Sequence, residues 1–252
     1  MLRRLVALAA AGALLIGAPA TAQIGSHKDA AKSGFTFPAA GPVKILVFRP
    51  DVQVGSQTAG GLNEPNADWT ATARKQLTEA LARAQQARSN ELVMMPELEG
   101  EQGALLNDYR SLFRAVASAV IQHKLFVGNR LPTKKAEFNW TLGPGASKLA
   151  EIGGGDYGLF IFSNDSYGSA GRKAVQMVGF LFGVPVTVGV HTGYAGLVDL
   201  HTGELVWINA DMRMGGDVRE ADGADKRIRE LLNGFPARAG AAPPPTQASA
   251  AK

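Results

Sequence analysis

The sequence predicts an α/β fold: a single-domain sandwich with a mixed β-sheet, helices packed on its faces and a C-terminal β-hairpin plus helix. Three observations predict it. Short apolar runs alternate with longer segments of helical period. Their order, β-α-β-α-α-β-(α)-β-β-α, combines crossover units with one hairpin near the end. Hydrophobic residues make up 46% of 252 positions, enough to bury one substantial core.

Val43–Phe48 is a short apolar run closed by Arg49-Pro50, a first strand. Asp51–Asn66 is rich in Gly, Asn and Pro and reads as a loop. Asp68 is placed to cap a helix from Trp69 to about Arg88, with Trp69, Ala73, Leu77, Ala80, Leu81 and Ala84 on one face. Leu92–Met95, stopped by Pro96, is a second strand. Leu105, Tyr109, Leu112, Phe113, Val116 and Val120 place a helix over about Gly103–Lys124.

Ala146–Ile152 is a short helix ended by Gly153-Gly154-Gly155, and Tyr157–Phe162 is a buried strand. Tyr194–Asp199 and Leu205–Asp211 flank a turn at Leu200–Glu204, where Thr202-Gly203 has hairpin chemistry. Asp222 opens a last helix whose Ile228, Leu231, Leu232 and Phe235 share a face, and Gly234 and Pro236 end it.

The ends set the boundaries. Met1–Ala22 has the layout of a cleaved signal peptide: Arg3 and Arg4, an apolar run from Leu5 to Gly17, and the small-residue site Ala20-Thr21-Ala22. Gln23–Pro42 reads as a flexible arm, 43–236 as the α/β domain, and 237–252 as a disordered Ala/Pro-rich tail. Export to the periplasm is the expectation. Cleavage removes two arginines and takes the formal charge from +4 to +2. No Lys/Arg stripe with interleaved aromatics marks a nucleic-acid binder.

Cysteine is absent. Disulfides, thiol nucleophiles and Cys₄ zinc sites are therefore excluded, and there is no residue to carry a lipoprotein's lipid. The expectation is therefore a protein that is not a lipoprotein, and is either soluble in the periplasm or held at a membrane non-covalently.

Candidate chemistry is sparse. Gly153, Gly155 and Gly158 spell G-x-G-x-x-G, but they follow a short helix and enter a strand, the reverse of a dinucleotide site. The segment Asp165–Lys173 is the candidate ligand or interaction loop, with Asp165, Ser169, Gly171, Arg172 and Lys173 as its residues. Glycines let N–H groups converge there with two cations behind them, as an anion site requires. A structural loop with a helix cap has the same composition.

His191 and His201 meet if their strands fold back, with Asp199 or Asp211 beside them, yet no zinc-ligand spacing is present. Asp165, Asp199, Asp211, Asp217 and Glu204 are scattered near turns. No catalytic residue, cofactor or metal is assigned. Ala174–Val190 has no charge over 17 positions. It is too short to span a bilayer, so it is either a helix and buried strand, or a surface for a membrane or partner subunits.

The run Gly196–Trp207 (GLVDLHTGELVW) resembles the closing hairpin of a bacterial envelope superfamily. This superfamily comprises the curli-secretion channel subunit, the penicillin-binding-protein activator lipoproteins and the TolB amino-terminal domain. The resemblance implies an α/β domain that binds other envelope proteins or self-associates, without enzymatic activity. The residues thus point to a periplasmic binding or assembly module, with peripheral membrane contact through Ala174–Val190 as a possible addition. The alternative is a periplasmic hydrolase or anion-binding protein using Asp165–Lys173.

Overall fold

In the computed structural model, residues 27–87, 92–134 and 137–240 are described. The signal-peptide segment lies outside them. Eight strands form one mixed sheet: β1 His27–Ala31, β2 Ile45–Val47, β3 Asp51–Gln57, β4 Asn63–Pro65, β5 Leu92–Met94, β6 Tyr157–Gly168, β7 Val190–Asp199 and β8 Leu205–Asp211. The helices are α1 Ala67–Ala87, α2 Gly100–Val120, α3 Ser147–Gly153, α4 Ala170–Leu181 and α5 Ala221–Leu231. The sheet order is β1-β8-β7-β6-β2-β5, with β3 on β6 and β4 on β3.

β6 is the spine. One edge pairs antiparallel with β7 from Tyr157 to Ser166. Along its other edge β2 runs parallel opposite 157–159, and β3 runs parallel opposite 162–168. Residues alternate between two cores because both sheet faces are covered. Ile45, Val47, Leu159, Leu197 and Trp207 pack with Leu77 and Leu81 of α1 and Ile228 and Leu231 of α5. Leu46, Phe48, Phe160, Val198 and Ile208 pack with Phe113 of α2 and Leu149 of α3. All seven residues of β8 are buried in consequence.

Three sequence expectations are corrected. Asp51–Asn66 is not a loop: it holds β3 and β4, and Val52 and Val54 are the inward positions of β3. Of the expected flexible arm, the described residues 27–42 are tied to the domain. Its β1 pairs with all of Trp207–Asp211, and Phe37 is buried with its N–H donating to Ala237 O at 3.1 Å. A bare β8 edge would expose a row of unpaired backbone groups, and this segment covers it. Ala237 and Ala239 at the start of the presumed tail also bond to Phe37.

The caps differ as well. Asn66, not Asp68, caps α1, its Oδ1 accepting from Trp69 N at 2.9 Å. Asp222 lies inside the first turn of α5 behind Glu220, where a carboxylate still opposes the helix-end charge.

The β7–β8 turn explains the Asp-x-x-Thr-Gly-Glu pattern. Asp199 Oδ1 accepts from His201 N at 2.9 Å and Thr202 N at 3.1 Å, and Thr202 Oγ1 accepts from Glu204 N at 3.2 Å. Gly203 has φ +76° and lies against the Gly143 carbonyl, which a Cβ would meet at 1.9 Å. Gly153 and Gly155 are also packing glycines, since a Cβ on either would meet Leu46 at 2.4 Å. They pack a helix end onto the sheet rather than cradle a cofactor.

Candidate functional site

The segment Asp165–Lys173 is two structures, not one loop. β6 continues to Gly168, so Asp165 is a strand residue, and it is fully buried. Its Oδ1 and Oδ2 accept from Arg227 Nη2 and Nη1, both at 2.8 Å, in a bidentate pair. Arg227 also donates to Ser163 Oγ at 2.6 Å, and His191 Nδ1 lies 2.8 Å from Asp165 Oδ1. Arg227 is itself fully buried and fastens α5 to the sheet.

Burial alone would raise the Asp165 carboxyl, but the hydrogen bonds from His191, Arg227 and Ser163 and the Arg227 charge together hold it below its usual value. Nearby, the Arg219 hydrogen bonds lower Asp217 to about 2, against burial. Both groups are depressed in the fold. The stability they contribute is therefore complete above an unfolded aspartate value of about 4 and is lost as pH falls through the folded values. Urea midpoints should hold from neutral pH to about pH 5 and drop below about 4, the drop being shallower in Asp217→Asn. A midpoint already falling at neutral pH would contradict this.

The remaining predicted residues belong to the start of α4. Ser169 is its N-cap, accepting from Arg172 N at 3.2 Å. Arg172 donates Nε to Thr187 O at 3.0 Å and Nη1 to Ala59 O at 3.3 Å. Gly171 packs against Ala59, where a Cβ would lie 3.2 Å from the alanine side chain. Lys173 is exposed. These groups cap and brace, and Asp165 faces away from them into its own buried cluster. The anticipated anion loop is not formed.

The histidines also stay apart. His191 is at the start of β7, while His201 is in the turn beyond its end, beside Asp156 at 3.5 Å. Among the described residues, no group of three or more acidic or histidine side chains is placed to hold a metal.

What the braces support is a prong. α4 leaves the end of β6 and has no buried residue. Met177 is 70% exposed, Phe180 83%, Leu181 75% and Phe182 78%. At its tip Gly183 turns the chain at φ +69°, and Val184 N donates to Gly179 O at 2.8 Å. Gly179 has no room for a side chain, since a Cβ would lie 2.8 Å from Val184 O and from Val186 Cγ2. The returning strand is pinned at the root, where Gly189 N donates to Gln57 Oε1 at 3.0 Å and Val190 N to Ser166 Oγ at 3.1 Å. Ala174–Val190 is thus not a helix followed by a buried strand. It is an apolar hairpin projecting from a polar root.

Solved structures similar to the chain were found. A PelC dodecamer from Paraburkholderia phytofirmans shares 14% identity, with 84% of this chain and 97% of that one covered at a TM-score of 0.38. Lipoprotein GNA1162 from Neisseria meningitidis shares 17%, over 77% and 96%, at 0.31. The LpoB C-terminal domain from Salmonella enterica shares 13%, over 71% and 84%, at 0.26. No protein-family model and no curated protein matches the sequence. No family assignment follows.

Proposed function

We propose that the chain is an exported, non-enzymatic binding and assembly module of the cell envelope, docking through the α4 prong onto the membrane surface. The observation that carries this is the exposure of Met177, Phe180, Leu181 and Phe182 on a helix with no buried side. Beyond Lys173 this helix is apolar except for Gln176, and the chain's own core does not cover it. Contiguous apolar surface of this kind marks contact with a partner or membrane.

The polarity along the prong favours lipid. Arg172 and Lys173 stand at its root, and no charge follows until after Val190. A cationic collar below an apolar, aromatic tip matches the headgroup-to-acyl gradient of a bilayer. The 12-residue helix is about 18 Å long, against about 30 Å of hydrocarbon. It enters one leaflet rather than spans. Among the described residues no helix is long and apolar enough to cross a membrane.

The test is flotation of the chain starting at Gln23 with phosphatidylcholine and phosphatidylglycerol vesicles. The wild type should float, and Phe180→Ser with Phe182→Ser should cut the bound fraction at least about tenfold, given about 1.5–3 kcal/mol per buried Phe. A wild type that stays at the bottom as a multimer, and becomes monomeric in the variant, would replace the bilayer with a second copy as the occupant.

A further inference from the structure

β2 and β5 run parallel and end side by side, Val47 opposite Met94. The chain leaves β2 through Arg49 and Pro50 before resuming on β6 as β3. α1 covers one face of the sheet here and α2 the other, because Ala73 and Phe113 belong to opposite cores. The result is a cleft of ≈ 270 Å³, open to solvent, lined by Arg49, Asp51, Arg74, Arg110, Ser111 and Arg114, among others. Crevices beyond the carboxyl ends of parallel strands are where open α/β sheets hold ligands.

Its charge is unbalanced. Four guanidinium groups face two carboxylates: Arg49 Nη1 meets Glu97 Oε2 at 2.5 Å, and Arg114 Nη1 meets Asp51 Oδ2 at 3.4 Å. Arg110 donates to Asn107 Oδ1 and to Arg49 O, each at 3.1 Å. Its Nε and that of Arg74 are buried and donate to no acceptor among the described residues. Burial, and then the Arg49 charge, disfavour the charged form of Arg110. Arg74 and Arg110 stand in no ion pair among the described residues, so the crevice keeps a net positive charge that a doubly charged oxyanion would offset, and guanidinium forks match phosphate geometry.

We propose that this cleft binds the phosphate group of a small soluble phosphorylated molecule, with Arg74, Arg110 and Arg114 as its donors. A lipid headgroup is the other source of that chemistry. The prong argues against it: Asp51 is level with Phe162, six residues below the end of β6, so the cleft lies about 20 Å along the strand from the prong's root.

The experiment uses inorganic phosphate as the probe, at constant ionic strength, with Tm and calorimetric titration as readouts. Phosphate should raise the Tm of the wild type. Arg74→Gln and Arg114→Gln should each weaken binding at least about tenfold. Without phosphate, Arg74→Gln should not lower Tm, because it relieves like-charge repulsion. No Tm rise up to about 10 mM phosphate, or a rise unchanged in both variants, would overturn the proposal. So would loss of vesicle flotation in Arg74→Gln/Arg114→Gln without any phosphate effect, since that outcome assigns the arginines to lipid. Phe180→Ser/Phe182→Ser protein should bind phosphate like wild type, which separates this site from the prong.

Discussion

Replacing Arg227 with Met is expected to destabilise the fold by about 3–5 kcal/mol. Arg227 and Asp165 are both fully buried, and removing the guanidinium leaves a carboxylate in the interior with only Ser163 and His191 beside it. The penalty is mostly that of stranding the charge. A buried pair is itself weak evidence for stability, because desolvating two ions offsets much of their attraction. Asp165→Asn combined with Arg227→Met should therefore recover a large part of the loss. A double-mutant cycle in urea measures the coupling, and strictly additive losses would show that the two groups act independently.

Trp207→Ala should cost a comparable amount, about 3–5 kcal/mol. Trp207 is 1% exposed on β8 and meets Phe235 edge-on, with ring centroids 5.2 Å apart. It lies at the centre of the core between the sheet and the α1–α5 layer, where no neighbour is free to fill the void. Denaturation followed by far-ultraviolet circular dichroism checks it, and a loss under about 1 kcal/mol would show that the site collapses. Vesicle binding by the folded fraction should be unchanged, because Trp207 and the prong share no contact surface.

The strands and helices that bury one regular face were legible in the sequence. Val43–Phe48, the 3.6-period of α1 and α2, and the Asp199–Glu204 turn each declare themselves locally. β1 and β3 did not, because His27–Ala31 has no apolar alternation and β3 is embedded among Gly, Asn and Pro. What specifies them is distant: an open β8 edge for one and the upper half of β6 for the other.

The candidate site was half legible. The uncharged run Ala174–Val190 stood out, but a sequence does not say whether apolar residues face inward. Arg227 was hidden in a helix of charged residues, where burial of one cation depends on Asp165 some 62 positions away. The four cleft arginines are likewise spread over three segments, and only the approach of α1 and α2 at the β2–β3 connection brings them together.

The absence of cysteine permits the most direct test of the prong. Phe182→Cys carries an environment-sensitive fluorophore, with Glu101→Cys at an exposed position in the first turn of α2 as the reference. Adding vesicles should shift the Phe182 probe's emission to the blue, while the Glu101 probe stays unchanged. An unshifted Phe182 probe, at vesicle concentrations saturating for a peripheral protein, would contradict membrane docking through α4.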